Sequence, residues 1–102
     1  MDYVPQNLLD ERFRLSFDVV EGPRGPQLEG YVFNDYIAGA DRILVAVERV
    51  SPSGEAVGCA MIWVVGIVQP RDRAYFAASV PDATAKYRVR VLSFTGAGSG
   101  GP

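Results

Sequence analysis

From residue 86 the chain reads Lys-Tyr-Arg-Val-Arg-Val, a strict alternation of charged and apolar side chains. Period two belongs to an extended strand, so Tyr87, Val89 and Val91 share a face turned to a core while Lys86, Arg88 and Arg90 meet solvent. The same alternation recurs upstream. Phe13, Leu15, Phe17 and Val19 alternate with Arg14, Ser16, Asp18 and Val20, which predicts a first strand over 13–20. Gly22-Pro23-Arg24-Gly25-Pro26 predicts a surface loop, because two prolines and two glycines in close succession sustain neither ladder nor helix. A second strand follows over 28–34, with Gly30 and Val32 on one face and Tyr31 and Phe33 on the other. A turn-rich connection over 34–39 leads to a third strand over 43–50.

Ser51-Pro52-Ser53-Gly54 suits a type I turn, with proline at its second position and glycine at its fourth, and predicts a hairpin. A regular four-residue loop would pair Glu48 with Val57, Ala46 with Cys59 and Leu44 with Met61 on one face, and Val45 with Ala60 and Ile43 with Ile62 on the other. Both faces are largely apolar, and the run over 56–68 is long for one strand, so a bulge or bend is expected near Gly58 or Gly66. Further strands are expected over 74–80 and 86–95. No window beyond the first twelve residues carries helical spacing with caps, and β-branched and aromatic residues fill the apolar runs. The fold class is therefore all-β, an antiparallel sandwich of six to seven strands, since a parallel sheet would need helical crossovers. Residues 1–12 read as an N-terminal tail, 13–95 as the sandwich domain and 96–102 as a flexible glycine-rich tail.

Composition narrows the functions. A net charge of −2 gives no global field toward nucleic acid or an anionic membrane. The chain has no histidine, which removes the commonest general base and metal ligand together, and Cys59 is its single cysteine, so no disulfide forms within it. No apolar run approaches the roughly twenty residues of a membrane helix, and the first residues show no signal peptide. Gly96, Gly98 and Gly101 have the spacing of a dinucleotide fingerprint but lack the helix that receives the pyrophosphate, so they read as linker. Arg12, Arg14, Lys86, Arg88 and Arg90 would form a basic stripe if their strands were neighbours, without interleaved aromatics, and read as a solvated face. Cys59 lacks positive neighbours and reads as a small packing residue.

The stretch over 74–94, a strand closing on Val80-Pro81, a short polar turn and then Tyr87-Arg88-Val89-Arg90-Val91, resembles the penultimate strands of fibronectin type III-like and immunoglobulin-like sandwiches. The resemblance implies that Tyr87 is a tyrosine corner, its ring inward and its hydroxyl tied to backbone. Gly30, Val32 and Asn34, the valine-rich strand and the Ser-Gly hairpin resemble bacterial FxLYD-type domains, which implies a module of a larger exported or membrane-attached protein. Such a sandwich would need one more strand after Phe94, unless the first strand fills that edge.

The expected function is a non-catalytic interaction or assembly module, with a protein partner or a second copy on the hairpin face formed by Leu44, Val57, Cys59, Met61 and Trp63. No cofactor, nucleic acid or membrane insertion is expected. The alternative is a small-ligand or ion site at the loop end bearing Asp35, Tyr36, Asp41, Arg71 and Arg73.

Overall fold

The computed structural model describes residues 6–97, with the side chains of 8–96. A short helix, α1 (Gln6–Arg12), precedes six strands: β1 (Phe13–Gly22), β2 (Gly25–Asn34), β3 (Gly39–Val50), β4 (Ala56–Trp63), β5 (Arg73–Ser79) and β6 (Lys86–Ala97). They form two antiparallel three-stranded sheets, ordered β1-β2-β5 and β4-β3-β6. The protein is thus an all-β antiparallel sandwich, with six strands among the described residues. The inward rows meet between the sheets: Leu28, Val32 and Phe76 from the first, Ile43, Val45, Val47 and Val91 from the second.

Several elements depart from the alternation-based reading. The tail expected over 1–12 contains α1, and Leu9, only 2% exposed, belongs to the core. Leu9 of α1 and Phe13, the first residue of β1, are both buried in the core, so packing holds a helix too short to persist alone. The loop expected at Gly22–Pro26 is a tight hairpin, with Gly22 opposite Gly25 and Gly25 at a φ of 110°. Pro26 is tolerated there because β5 begins pairing only at Gln27, beyond the proline. Gly96, expected to begin a linker, lies inside β6 opposite Ala40. Gly98 and Gly101 lie outside the described residues.

The β3–β4 register differs by two residues from a regular four-residue loop: Leu44 faces Trp63, Ala46 faces Met61 and Glu48 faces Cys59. One residue comes from the turn. Ser51 donates its N–H to Glu55 at 2.8 Å and accepts from Gly54 at 2.9 Å, leaving Pro52, Ser53 and Gly54 as the loop, with Gly54 at a φ of 92°. The other is Val57, which bulges between the Val50–Ala56 and Arg49–Gly58 pairs. Two single steps restore the original facing, so Cys59, Met61 and Trp63 still point outward. The run ends at Trp63, bends at Gly66, whose φ is 85°, and returns through a bridge between Ala40 and Val68. Val64 and Val68 are core residues, while Val65 is 93% exposed.

Among the described residues no strand pairs with the outer edge of β6. All ten β1 residues pair with β2 and β6 pairs with β3 alone, so the first strand does not take the seventh position.

Asn34 is the buried polar centre at one end of the sandwich, with no exposed surface. Its side-chain N–H groups donate to the carbonyls of Ala38 at 2.8 Å and Val68 at 3.0 Å, and its Oδ1 accepts from the Tyr36 N–H at 3.1 Å. Its backbone exchanges bonds with Asp72 and Arg71. One side chain therefore closes both the β2–β3 and the β4–β5 connections. Asn34→Ala leaves these buried groups unpaired and is expected to cost about 2–4 kcal/mol. A urea titration checks this through a lower midpoint at unchanged slope.

Candidate functional site

The outer face of the second sheet is built from β4, β3 and β6 in register. Its β4 row is Cys59, Met61 and Trp63, its β3 row Leu44, Ala46 and Glu48, and its β6 row includes Arg88 and Arg90. The inward-facing neighbours Val45, Val47 and Val91 occupy the core, which leaves this face to solvent. Met61 is 64% exposed, Trp63 61% and Val57 52%, whereas Leu44 is half-buried between its neighbours. Cys59, expected as a packing residue, is an exposed free thiol, because β4 is an edge strand and residue 59 points away from the core. α1 packs instead against β1 and β6 and leaves Met61 and Trp63 open.

Glu48 divides this face. It is buried to 7% exposure and accepts from Arg88 Nε at 3.0 Å and from Arg90 Nη2 at 3.5 Å. The two arginines are thereby tied to one carboxylate, and the β4 side of the face is left without charge.

The strands whose adjacency would make a basic stripe are not neighbours. β1 and β6 lie in different sheets, and Arg14 is placed on the first sheet's outer face, over the Phe33 ring at 4.3 Å and paired with Asp35 at 3.1 Å. Aromatics do interleave with arginine there, from neighbouring strands: Arg73 covers Tyr31 at 4.4 Å, and Tyr31 meets Tyr75 edge-on at 5.8 Å. Tyr75 closes the row by donating its hydroxyl to Glu29 at 3.0 Å.

The loop-end residues are only partly brought together. Asp35 is engaged by Arg14, and its N–H donates to the Arg12 carbonyl at 2.9 Å. Asp41 accepts the Arg42 N–H at 2.8 Å, and Arg42 has a φ of 49°. Asp41 thus steadies a bulge in β3. Arg71, at a φ of 63°, completes a turn in which Asp72 donates to Gln69, and Arg73 is spent on Tyr31. No three of His, Cys, Asp and Glu gather into a metal-ligand set among the described residues. No helix among them is long and apolar enough to cross a membrane.

Tyr36 instead meets Arg12, which the sequence reading places in the basic stripe and gives no site of its own. The guanidinium lies over the rings of Tyr36 and Phe94, each centroid 4.2 Å from Cζ, and these residues line a cavity of about 380 Å³ with Leu8 and Glu11. The usable signal was the Leu9–Phe13 spacing, which places Arg12 beside the first strand.

Tyr87 is half-buried against the core, and its hydroxyl donates to the Asp82 carbonyl at 2.7 Å and accepts the Asp82 N–H at 3.3 Å. This is the geometry of a tyrosine corner. The Asp82 carboxylate accepts from the N–H and the hydroxyl of Thr84, both at 2.8 Å, and these bonds hold its pKa below the usual value. A carboxylate with a depressed folded pKa adds stability above its unfolded pKa and loses it as pH falls through the folded one. Thermal melts from about pH 6 to about pH 3 should therefore show wild type losing more than Asp82→Asn, which keeps an acceptor without a titrating charge. Comparison with protein-family models, with curated proteins and with solved structures found no match.

Proposed function

We propose that this chain is a non-catalytic assembly module, and that the partner on its β4 edge is a second copy of itself. The observation that carries the reading is the character of β4. Residues 56–70 contain no charge, the outward side chains Met61 and Trp63 are more than half exposed, and the strand has a hydrogen-bonded neighbour on one side only. Edge strands are ordinarily guarded by charge, proline or irregularity. β6, the other edge of the sheet, is guarded by Lys86, Arg88 and Arg90, whereas β4 has only the bulge at Val57.

Two copies joined through β4 in antiparallel register would continue one sheet across both molecules and cover Met61 and Trp63 with their own symmetry mates. Charge does not oppose this, since the net charge is only −2 and Glu48 engages the nearby arginines. The resemblance to FxLYD-type and fibronectin III-like domains fits a module of a longer exported or membrane-attached bacterial protein, in which such pairing joins whole chains.

Sedimentation equilibrium tests the reading. The expected result is a monomer–dimer equilibrium with a Kd in the range of about 1–100 μM, abolished by Met61→Glu with Trp63→Glu. Trp63 is the single tryptophan, so its emission should shift to the blue with rising concentration, and Cys59 should react more slowly with a thiol reagent. A wild-type chain that stays monomeric to about 1 mM overturns the reading.

A further inference from the structure

The cavity beside Arg12 sets one guanidinium among aromatic and aliphatic side chains. Its walls are Leu8 and Glu11 from α1, Tyr36 from the β2–β3 connection and Phe94 from β6, with Arg12 at the junction of α1 and β1. Each is fixed from below. Leu9 anchors α1 in the core, Phe94 meets Phe13 edge-on at 5.1 Å, and Asn34 holds the N–H of Tyr36.

Glu11 borders the same cavity, yet Arg12 forms no ion pair with it or with any other described residue. The ion pairs among the described residues join Arg14 to Asp35 and Arg88 and Arg90 to Glu48, and none includes Arg12. Its Nε is buried without a hydrogen-bond partner, and partial burial lowers its pKa from the ordinary value, although an arginine remains charged at neutral pH. The rings of Tyr36 and Phe94 stack on the guanidinium but accept none of its in-plane N–H bonds. A partly desolvated guanidinium with no ion-pair partner among the described residues, bordering an apolar cavity, is suited to an anion that brings two acceptor oxygens in one plane.

We infer that the Arg12 cavity binds a small organic monocarboxylate, its two oxygens on the guanidinium and its apolar body against Leu8, Tyr36 and Phe94. Two features select this class over a phosphate. Glu11 lines the same cavity and repels each negative charge a ligand brings, which weighs twice on a dianion and once on a monocarboxylate. The remaining walls are mainly apolar, which rewards a hydrocarbon or aromatic body, and a volume of about 380 Å³ is that of a small-molecule site. The site lies at the α1 end of β1 and β6, apart from the β4 edge, and does not depend on self-association.

Benzoate is the test probe, titrated into the complete chain while the NMR shifts of Leu8, Tyr36 and Phe94 are followed. Saturable shifts with a Kd of about 1 mM are expected, as befits a ligand of this size. Benzamide, the neutral isostere, and inorganic phosphate should bind at least about tenfold more weakly. Arg12→Lys, which keeps the charge and loses the planar fork, should weaken benzoate by about tenfold at unchanged fold. If that variant does not fold, the benzoate–benzamide comparison on wild type decides alone. Absence of saturable shifts to about 50 mM benzoate, equal binding of benzamide, or phosphate binding as tightly as benzoate overturns the inference.

Discussion

The end of the sandwich that carries both connections depends on a single buried amide. The β4–β5 connection is anchored by the buried Val64 and Val68, but its backbone and that of the β2–β3 connection also turn polar groups inward at the core mouth. Asn34 supplies the two donors and one acceptor that their inward backbone groups require, and its own backbone receives the second connection through Arg71 and Asp72. A leucine of similar volume would fill the space and leave those carbonyls unpaired in a low-dielectric interior. The position of Tyr36, and with it one wall of the Arg12 cavity, follows from this one residue.

Alternation makes much of this fold legible. Tyr87, Val89 and Val91 turn inward because a strand exposes every second side chain, and the same rule places Leu28 and Val32 in the core and Tyr31 and Phe33 outside. Period two is silent about neighbours. Nothing local states that Arg14 and Arg88 belong to different sheets, so a stripe that looks continuous in the chain is divided in space. Nor does alternation register bulges, which insert a residue without altering the pattern on either side. Cys59 shows a further limit: small and surrounded by apolar neighbours, it has the composition of a core residue and the exposure of an edge.

The candidate sites differ in legibility for the same reason. The β4 face is written in consecutive residues, so the chain itself displays its apolar character, whereas its exposure depends on which strands become neighbours. The Arg12 cavity is assembled from residues 8, 12, 36 and 94, whose meeting depends on a seven-residue helix that weak local propensity does not announce. Asp41 and Arg71 looked available because both are charged and lie near turns. Asp41 steadies a bulge by accepting the Arg42 N–H, and the backbone of Arg71 forms a turn at positive φ, roles that charge and position in the chain do not display.

The two irregularities of the β3–β4 hairpin have a consequence for how this module can change over time. Gly54 in the loop and Val57 in the bulge each displace the pairing by one residue, and together they keep Met61 and Trp63 outside. The register beyond Gly58 is held by which side chains bury, Ile62 inward and Met61 and Trp63 outward, so the turn and the bulge are where a residue gained or lost is absorbed. The tip of this hairpin can therefore vary in length as well as in sequence while the face it leads to keeps its side chains.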